Sequence, residues 1–352
     1  ASFDVVIVGG GVTGAAVGYG LAKRGVKTCL VDAVPTFSRA SRANMGLIWC
    51  QSKALGCPQF VRWGFASSRA YGKLAAELKE LSGIDTGYAP TGGIIPCLGE
   101  AELEARAQFI EKLRAETEDG TYPASVLSRK ELEGMLPKVP FGPEVSGGIW
   151  SDMDGYVDPL HLMFAFRKSF VRLGGTLFAG ERVSEVKPSG KGYTVVCGGR
   201  TLECGKAVLA AGLGVRKLAA QLGTDIPVFP NKSQVMLLER IPADVLPIPL
   251  LGIARTFGGT VMIGAAHENM GMDRRLTPEV LAANAQWAVR VWPELERKRI
   301  LRFWTGLRVW PKDAYPIYDR IPGHENAFVF AMHSAVSLAA ILEQALPDYV
   351  MG

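Results

Sequence analysis

The sequence has little of what builds metal centres or disulfide frameworks. Its six cysteines form no C-x-x-C pair, and none combines with one of the four histidines at a zinc-ligand spacing. Cys29 and Cys197 lie in apolar, strand-like runs, where a free thiol behaves as a small hydrophobic side chain. We therefore expect no bound metal and a reducing, cytoplasmic compartment.

Two further absences concern membranes and nucleic acids. No uncharged apolar stretch is long enough to span a bilayer, and no basic-then-apolar leader precedes the first strand. No transmembrane segment is expected, and no signal peptide in this form. The excess of 39 Lys+Arg over 34 Asp+Glu gives only +5, and no basic run is interleaved with aromatics. Nucleic acid is therefore not an expected partner, while the mild basic balance favours a carboxylate substrate.

Internal repeats and low-complexity segments are also lacking. The chain has 352 residues, of which 48% are hydrophobic and 21% charged, as in an ordinary globular protein. This length allows two domains.

What the chain does contain is a β-α-β unit at its start. Phe3–Val8 is typical of a buried parallel strand, and Gly9–Gly14 follows at once with the pattern G-x-G-x-x-G. A helix is predicted over Ala15–Arg24. A second strand, Lys27–Val31, closes on Asp32.

Each part of this unit has a physical role in binding a dinucleotide. Gly9 permits the tight turn, Gly11 lets a pyrophosphate approach the backbone, and Gly14 lets helix and strand pack closely. The helix N-terminus holds the phosphates. Asp32 lies 21 residues after Gly11, the spacing of an acid that accepts hydrogen bonds from a ribose. The order of the parts favours dinucleotide binding over a glycine-rich turn without a ligand.

The remaining pattern predicts an α/β (α+β, two-domain) protein. Its Rossmann-like domain is interrupted by a mainly antiparallel β-sheet domain, because strand-rich stretches separate the nucleotide-binding segments. Pro35–Ser52 is expected to be irregular, and Thr277 is expected to cap a helix that ends at Val291. The predicted nucleotide-binding domain comprises 1–52, 151–226 and 308–352, and the predicted substrate domain comprises 53–150 and 227–307.

Four widely separated stretches resemble FAD-dependent amine and amino-acid oxidoreductases of the D-amino-acid oxidase, glycine oxidase and sarcosine oxidase type. The first is the Gly9–Gly14 turn. The second, Ser41–Ile48, resembles the Ser-rich loop after the acid in that family. The third, Val208–Gly212, is similar to the family's Ala-Thr/Ala-Gly turn. The fourth joins Gly306–Pro316 to His333–Ala339, where the family shows G-L-R-P…D-x-x-P and H-S-G-V-T-L-A.

The resemblance implies which residues hold FAD, with Val183 contacting adenine through its backbone. Besides the glycines of the turn and Asp32, the implied cofactor-binding residues are Val12, Thr13, Ala33, Ser41, Arg42, Asn44, Met45, Gly46, Leu47, Val183, Ala211, Gly212, Arg308, His333, Ser334, Ala335, Val336 and Ser337.

The resemblance also implies the catalytic residues. Arg308 would clamp the substrate carboxylate, because a planar guanidinium is its best bidentate partner. The helix that begins near Ser334 would face the negative charge that develops on the reduced flavin. His267 and Lys53 are further candidates beside flavin or substrate, as is Gln51. The alternatives are a solvated loop histidine and, for Arg308, an ordinary surface arginine.

Some positions depart from the family pattern. Ala335 stands where the family often has glycine, and Val309 replaces the usual proline. No cysteine lies near Arg308, so a covalent cysteinyl-flavin is not expected. Monomeric sarcosine oxidase has a lysine that helps oxygen react, and Met262 occupies the corresponding position here. Loss of that cation favours a dehydrogenase.

Asn44–Lys53 with Met332–Ser334 looks most like the flavin subunits of bacterial opine and secondary-amine dehydrogenases, which often work in hetero-oligomers. The expected reaction oxidises the C–N bond of a small carboxylate-bearing amine: an amino acid, opine, N-methyl or imino acid. Hydride passes to flavin N5, the imine hydrolyses, and electrons leave to an acceptor or to partner subunits that carry further redox centres. Association with a membrane through such subunits is left open.

Three alternatives remain at this point: an oxygen-using oxidase, a nicotinamide enzyme with the same turn, and an inactive flavin-holding subunit that serves assembly or electron relay. The nicotinamide alternative leaves the second and fourth resembling stretches unexplained.

Overall fold

The computed structural model describes residues 1–33, 40–264 and 266–352. The first part of the predicted irregular stretch, 35–39, lies outside them, while the rest contains a short helix and a short strand. Nine α-helices occur in the described ranges: α1 Val12–Lys23, α2 Ala40–Ala43, α3 Pro58–Ser82, α4 Glu100–Ala115, α5 Arg129–Met135, α6 Pro159–Arg172, α7 Val215–Ala220, α8 Pro278–Val291 and α9 Ala335–Met351.

The same ranges contain seventeen strands: β1 Ser2–Val8, β2 Thr28–Asp32, β3 Leu47–Ile48, β4 Gly93–Leu98, β5 Ser125–Ser128, β6 Val145–Ser151, β7 Gly155–Tyr156, β8 Thr176–Ala179, β9 Val183–Ser189, β10 Gly192–Cys197, β11 Arg200–Leu209, β12 Val228–Arg240, β13 Ile253–Arg255, β14 Thr260–Gly264, β15 Ile300–Pro311, β16 Ile317–Ile321 and β17 His324–Ala331.

The largest sheet has the order β16-β17-β11-β1-β2-β8. β1 runs parallel to both β11 and β2, and β17 continues the parallel arrangement beside β11. Strands from three distant parts of the chain therefore end at one edge. Since ligands of such sheets bind beyond the carboxyl ends of the strands, this edge is where a cofactor site is expected.

Apolar side chains explain why this sheet is buried on both faces. Residues of α1, α3, α6 and α9 pack with one face of β1, β2, β11 and β17 in a single hydrophobic cluster. The hairpin β9–β10 and α7 contribute to a second cluster on the opposite face. Burial of both faces accounts for the near-continuous apolar runs of the central strands.

The second architectural unit is an antiparallel sheet with the order β13-β14-β12-β15. The small sheet β4-β6-β5 adjoins it, because Ile94 N–H donates to Pro249 O at 3.0 Å and Leu251 N–H donates to Ile94 O at 2.8 Å. β15 leads from this sheet toward the edge of the large one. The structure thus confirms the mixed α/β class with an antiparallel second sheet, while the domain boundaries stay a prediction.

The helix expected from Thr277 to Val291 is confirmed. Thr277 does occupy the N-cap position of α8, but its side chain makes no cap hydrogen bond. Its hydroxyl instead donates to Glu268 Oε2 at 2.8 Å and accepts from Lys232 Nζ at 2.8 Å. A buried lysine on a neighbouring strand therefore takes precedence over the local cap. No helix within the described residues has the length and apolar character that crossing a membrane requires.

Candidate active site

A cavity of about 540 Å³ runs along the carboxyl edge of the large sheet and continues to β12 and β15. Most of the cofactor-binding residues expected from the sequence line it: Gly9, Gly11, Val12, Thr13, Asp32, Ala33, Ser41, Asn44, Met45, Leu47, Val183, Ala211, Gly212, Arg308, His333, Ser334, Ala335, Val336 and Ser337. Residues from both ends of the chain thus meet around one space.

Five expected site residues are not part of this lining. Gly14 and Gly46 lie behind it: a Cβ on Gly14 would come within 1.8 Å of Gly9 O, and one on Gly46 within 2.1 Å of Val157 O. These two glycines permit close backbone packing. Arg42, on α2, and the two catalytic candidates His267 and Lys53 are also outside the lining.

The glycine turn has the conformation that the sequence predicts. Gly9 has φ of 109°, a backbone region that side-chain-bearing residues rarely adopt. The N-cap of α1 is Gly11, where no side-chain cap forms, and the first helical turn contains no acidic residue. Val12 N–H donates to Ser41 Oγ at 3.0 Å. The positive end of the helix therefore faces the cavity without an acidic side chain of its own.

Asp32 lies at the carboxyl end of β2 and is almost completely buried. One of its oxygens, Oδ2, accepts a short hydrogen bond from Gly10 N–H and pairs with Arg167 on α6 at 3.2 Å. The carboxylate therefore fixes the glycine turn, and its place in the lining leaves the expected ribose contact as a prediction. Sequence reasoning missed Arg167, because one of three basic residues near the end of a helix gives no sign of its partner.

A second helix N-terminus meets the cavity at the other end. Ser334 is the N-cap of α9, makes no side-chain cap bond, and the first turn again contains no acid. Ser337 Oγ accepts from Trp49 N–H at 2.9 Å and so fastens the segment after β3 to α9. Two unneutralised helix N-termini on one elongated cavity fit a ligand with a pyrophosphate and a second electron-rich group, as FAD has.

Arg308 projects from β15 opposite Asn231 of β12. One terminal nitrogen donates to Asn231 Oδ1 at 3.1 Å and to Ala266 O at 2.8 Å, and the other donates to Ser233 Oγ at 2.9 Å. Within the described chain no carboxylate pairs with it. Burial lowers its pKa to about 10, yet the group stays charged at neutral pH. A cation held in this way on a cavity wall can receive an anion from outside.

His267 is linked to Arg308 through a shared acceptor. Its Nδ1 lies 2.9 Å from Asn231 Oδ1, which already accepts from Arg308, so Nδ1 carries the proton. The residue is exposed overall, but its ring packs edge-on against Trp310 with centroids 5.3 Å apart. Partial burial, with the nearby Arg308 charge, lowers the pKa of His267. It fixes Asn231 and thereby the guanidinium.

His333 does line the cavity, and both ring nitrogens are engaged. Nε2 donates to Ala314 O at 2.9 Å, while Nδ1 lies 3.0 Å from Ser334 Oγ and accepts its proton. The ring stacks on Trp310 with centroids 4.4 Å apart. Burial lowers the pKa of His333 to about 4, so the ring is neutral at physiological pH. This geometry supports a role for His333 in orienting the loop before α9.

Three aromatic residues near the cavity are not part of its lining. Trp304 Nε1 donates to Ala43 O at 3.1 Å, Tyr315 OH donates to Leu55 O at 2.6 Å, and Trp49 packs in a hydrophobic cluster. These bonds tie the segments around the cavity to one another.

A polar run in β12 was the main signal that sequence reasoning missed. Residues 231–234 are four consecutive polar residues within the strand, and Asn231 and Ser233 share one face because alternate residues of a strand point the same way. Their partner across the sheet is the segment that carries Arg308. This polar run, set between apolar residues of a predicted strand, could have revealed this wall.

Comparison with known proteins agrees with this geometry. The sequence profile of the family described as FAD dependent oxidoreductase matches residues 4–342. An opine oxidase subunit of Agrobacterium tumefaciens (strain Ach5) is 35% identical over 338 residues, covering 96% of this chain and 90% of the relative. Hydrogen cyanide synthase subunit HcnC of Pseudomonas protegens (strain DSM 19095 / LMG 27888 / CFBP 6595 / CHA0) is 29% identical, covering 92% of this chain and 87% of the relative.

The crystal structure of glycine oxidase from Geobacillus kaustophilus superimposes with a TM-score of 0.91 at 26% identity, covering 99% of this chain and 95% of the other. The fold and site therefore define a flavoprotein oxidoreductase. The chain belongs to the FAD dependent oxidoreductase family. The expectation of an FAD-dependent amine or amino-acid oxidoreductase is confirmed at this level.

Proposed function

We propose that this enzyme oxidises the C–N bond of an amino acid or a secondary-amine amino acid, such as an opine, an N-methyl or an imino acid. The observation that carries the proposal is Arg308, a partly buried cation on the cavity wall for which the described chain provides no acid. Burial of a charge is costly unless it is paired. A substrate carboxylate supplies that missing pair.

The hydrogen bonds of Arg308 leave room for such a carboxylate. Three of the five guanidinium N–H groups are used by Asn231, Ala266 and Ser233. Nε–H and one N–H of the second terminal nitrogen are not used by these three acceptors. Guanidinium N–H donors of this kind can hold a carboxylate through two hydrogen bonds.

The proposed reaction depends on a substrate carboxylate that is held by Arg308. FAD, when bound, supplies the acceptor for the hydride that leaves the substrate carbon next to nitrogen. The neutral amine loses that hydride and a proton as a C=N bond forms, and water then adds to release an oxo acid and an amine. Arg308 would hold the carboxylate so that this C–H bond keeps one orientation. The N-terminus of α9 would stabilise the negative charge that the cofactor gains.

No acid–base residue with a strongly shifted pKa is needed beside the reacting atoms. His333 is neutral and has both nitrogens engaged, and His267 donates its Nδ1 proton to Asn231. We therefore propose that the substrate must bind as its neutral amine, which makes its protonation the main source of pH dependence. His267 acts as a positioning residue for the guanidinium.

The electrons are proposed to pass to an acceptor other than oxygen, or to a partner subunit. Met262 occupies the position that corresponds to the oxygen-activating lysine of monomeric sarcosine oxidase. This position is apolar, because Met262 is buried in a cluster with Met45, Tyr156, Val235 and Ala254. Two relatives carry the word subunit in their names, which supports assembly with other chains.

Anaerobic mixing of the purified holoprotein with a panel of amino acids and N-substituted amino acids tests the proposal. Bleaching of the flavin absorption by a carboxylate-bearing amine, and not by the matching amine without a carboxylate, is expected. Turnover of that substrate with an artificial electron dye should exceed turnover with oxygen, and the reverse would favour an oxidase. If no amine bleaches the flavin, alone or with co-purified subunits, the inactive assembly or relay subunit is the correct alternative.

A further inference from the structure

Trp310 lies on β15 two positions after Arg308, so the two side chains share one face of the strand. Its backbone is held by pairing with Phe229 of β12. The indole is not part of the cavity lining, yet it contacts two imidazoles. His267 packs edge-on against it with centroids 5.3 Å apart, and His333 stacks on it with centroids 4.4 Å apart. One ring on a rigid strand therefore lies between two histidines from different parts of the chain.

The edge-on contact with His267 supports the surroundings of Arg308. One terminal nitrogen of Arg308 donates to Asn231 Oδ1 and to Ala266 O. His267 Nδ1 donates to the same Asn231 oxygen at 2.9 Å. Two donors on one oxygen fix the orientation of the Asn231 amide toward the guanidinium. Because the indole limits rotation of the imidazole, Trp310 helps to hold the Arg308 clamp.

Backbone contacts alone do not fix this imidazole. Lys232 and Glu268 exchange two backbone hydrogen bonds, of 2.9 and 3.0 Å, and these hold the chain just after His267. His267 itself is exposed overall, with a hydrogen bond to Asn231 and a ring contact to Trp310. An exposed side chain changes rotamer within picoseconds to nanoseconds unless such contacts hold it. The indole therefore supplies order that the backbone does not.

The stacked contact with His333 supports the segment that opens α9. His333 Nε2 donates to Ala314 O at 2.9 Å, and Ser334 Oγ donates to His333 Nδ1 at 3.0 Å. Ala314 has φ of 65°, which is uncommon for a residue with a side chain and persists only where the surroundings enforce it. Ser334 is the N-cap residue of α9. The imidazole thus joins a strained turn to the start of the helix, and the indole covers one of its faces.

We propose that Trp310 is a positioning residue for both ends of the reaction. Through His267 it holds the guanidinium of Arg308 in place for the substrate carboxylate. Through His333 it holds the start of α9 at the cavity. Trp310 takes no part in the chemical step. The first half of this inference rests on the proposed function, because a carboxylate at Arg308 is what it positions, whereas the second half concerns the holoprotein without substrate.

Binding of an unreactive carboxylate, (methylthio)acetate, tests the first half without catalysis. Its dissociation constant, obtained from the change in flavin absorption of the holoprotein, should rise roughly 2- to 10-fold in Trp310→Leu, as expected for loss of an aromatic pair. Trp310→Phe keeps a flat ring and should restore most of the affinity. Trp310→Met takes the place of the leucine variant if that protein does not fold.

The matched control is Trp287→Leu, which removes a partly buried indole of α8 that is not part of the cavity lining. It should lower the melting temperature and leave the dissociation constant of (methylthio)acetate unchanged. A tryptophan that only packs would give this same result at position 310, since its loss costs stability and not affinity.

Two readouts without substrate test the second half. The midpoint potential of the bound flavin should become more negative in Trp310→Leu but not in Trp310→Phe, because a displaced helix N-terminus stabilises the reduced flavin less. The chain has four histidines, so NMR of protein with 15N-labelled histidine can resolve His333. Its proton should lie on Nε2 in the wild type, and Trp310→Leu should show a mixture of the two neutral forms.

The outcomes separate this inference from the function on which it rests. If the leucine and phenylalanine variants change affinity and potential equally, or change neither while both lower the melting temperature, Trp310 only packs and the inference is wrong. The Arg308 clamp would still stand in that case. If the wild type does not bind (methylthio)acetate and no amine bleaches the flavin, the proposed function and the first half fail together, and the potential and the His333 proton still decide the second half.

Discussion

The two ends of the cavity are built in different ways. At one end, the Gly9–Gly14 turn, Asp32 and the start of α1 come from 24 consecutive residues of one β-α-β unit, Gly9 to Asp32. Backbone N–H groups and glycines are the main binding elements there. At the other end, Arg308, its partner Asn231 and the start of α9 come from three separate segments of the chain.

Their electrostatics differ as well. Asp32 and Arg167 form an ion pair at the nucleotide end, so each charge has an opposite charge before any ligand binds. Arg308 has no carboxylate partner in the described chain. The comparison indicates that the nucleotide end suits a permanently bound ligand. The Arg308 end instead has an unpaired cation, which suits a ligand that exchanges in each turnover.

The largest effect is expected at Arg308, the cation without a carboxylate partner. Arg308→Ala should lower kcat/KM for a carboxylate-bearing amine by roughly 30-fold or more, in line with about 2–5 kcal/mol for a truncated buried charge pair. The flavin spectrum of the purified protein should stay normal. Steady-state kinetics with an electron dye measure this change.

Arg308→Lys should also lose activity, because an ammonium cannot form the two-bond contact. Arg302→Ala, an exposed position on the same strand, is the control and should be silent. Unchanged kcat/KM in Arg308→Ala would show that Arg308 does not bind the substrate carboxylate.

A substitution at the neutralised end should act on stability first. Arg167→Met leaves the carboxylate of Asp32 buried without the Arg167 cation, which should cost about 3–5 kcal/mol of unfolding free energy. Urea denaturation of the apoprotein measures it, with Arg69→Met on the exposed face of α3 as control.

Asp32→Ala should in addition reduce FAD retention, through loss of the proposed ribose contact and of the bond to Gly10. Combining Asp32→Asn with Arg167→Met should cost less than the sum of the single changes, because the two groups interact directly. Additive costs, or a holoprotein as yellow as the wild type in Asp32→Ala, would contradict this account.

The smallest expected effect is a change in the pH profile of stability. Burial raises the pKa of Asp154 to about 6, so the folded state binds the extra proton and stability falls as pH rises through the range from about 4 to 6. Burial lowers the pKa of His333 to about 4, so in the range from about 4 to 6.5 the unfolded state binds the extra proton and stability rises with pH.

The two groups therefore oppose each other in the wild type. Asp154→Asn should remove the falling contribution, so that unfolding free energy measured by urea rises more steeply between pH 4 and about 6. A slope equal to that of the wild type would mean that Asp154 titrates near its ordinary pKa.

The antiparallel sheet shows how far pattern reasoning reached. A mainly antiparallel second sheet was expected from the sequence, and the structure confirms antiparallel pairing of the four strands that include β12 and β15. The register that sets Asn231 opposite Arg308 could not be foreseen, since pairing between strands separated by about 70 residues depends on the whole core.

The sequence by itself determined the nucleotide turn, the family and the class of cofactor. The geometry of a β-α-β unit depends on one short run of glycines, apolar residues and an acid, so it can be predicted from local sequence. Only the tertiary structure decided that Arg167 pairs with Asp32, that Asn231 couples His267 to Arg308, and that Asp154 holds the backbone of Cys50 and Gln51. The physical reason is that charge and hydrogen-bond satisfaction depend on neighbours in space, and these neighbours are brought together by burial of apolar surface rather than by spacing along the chain.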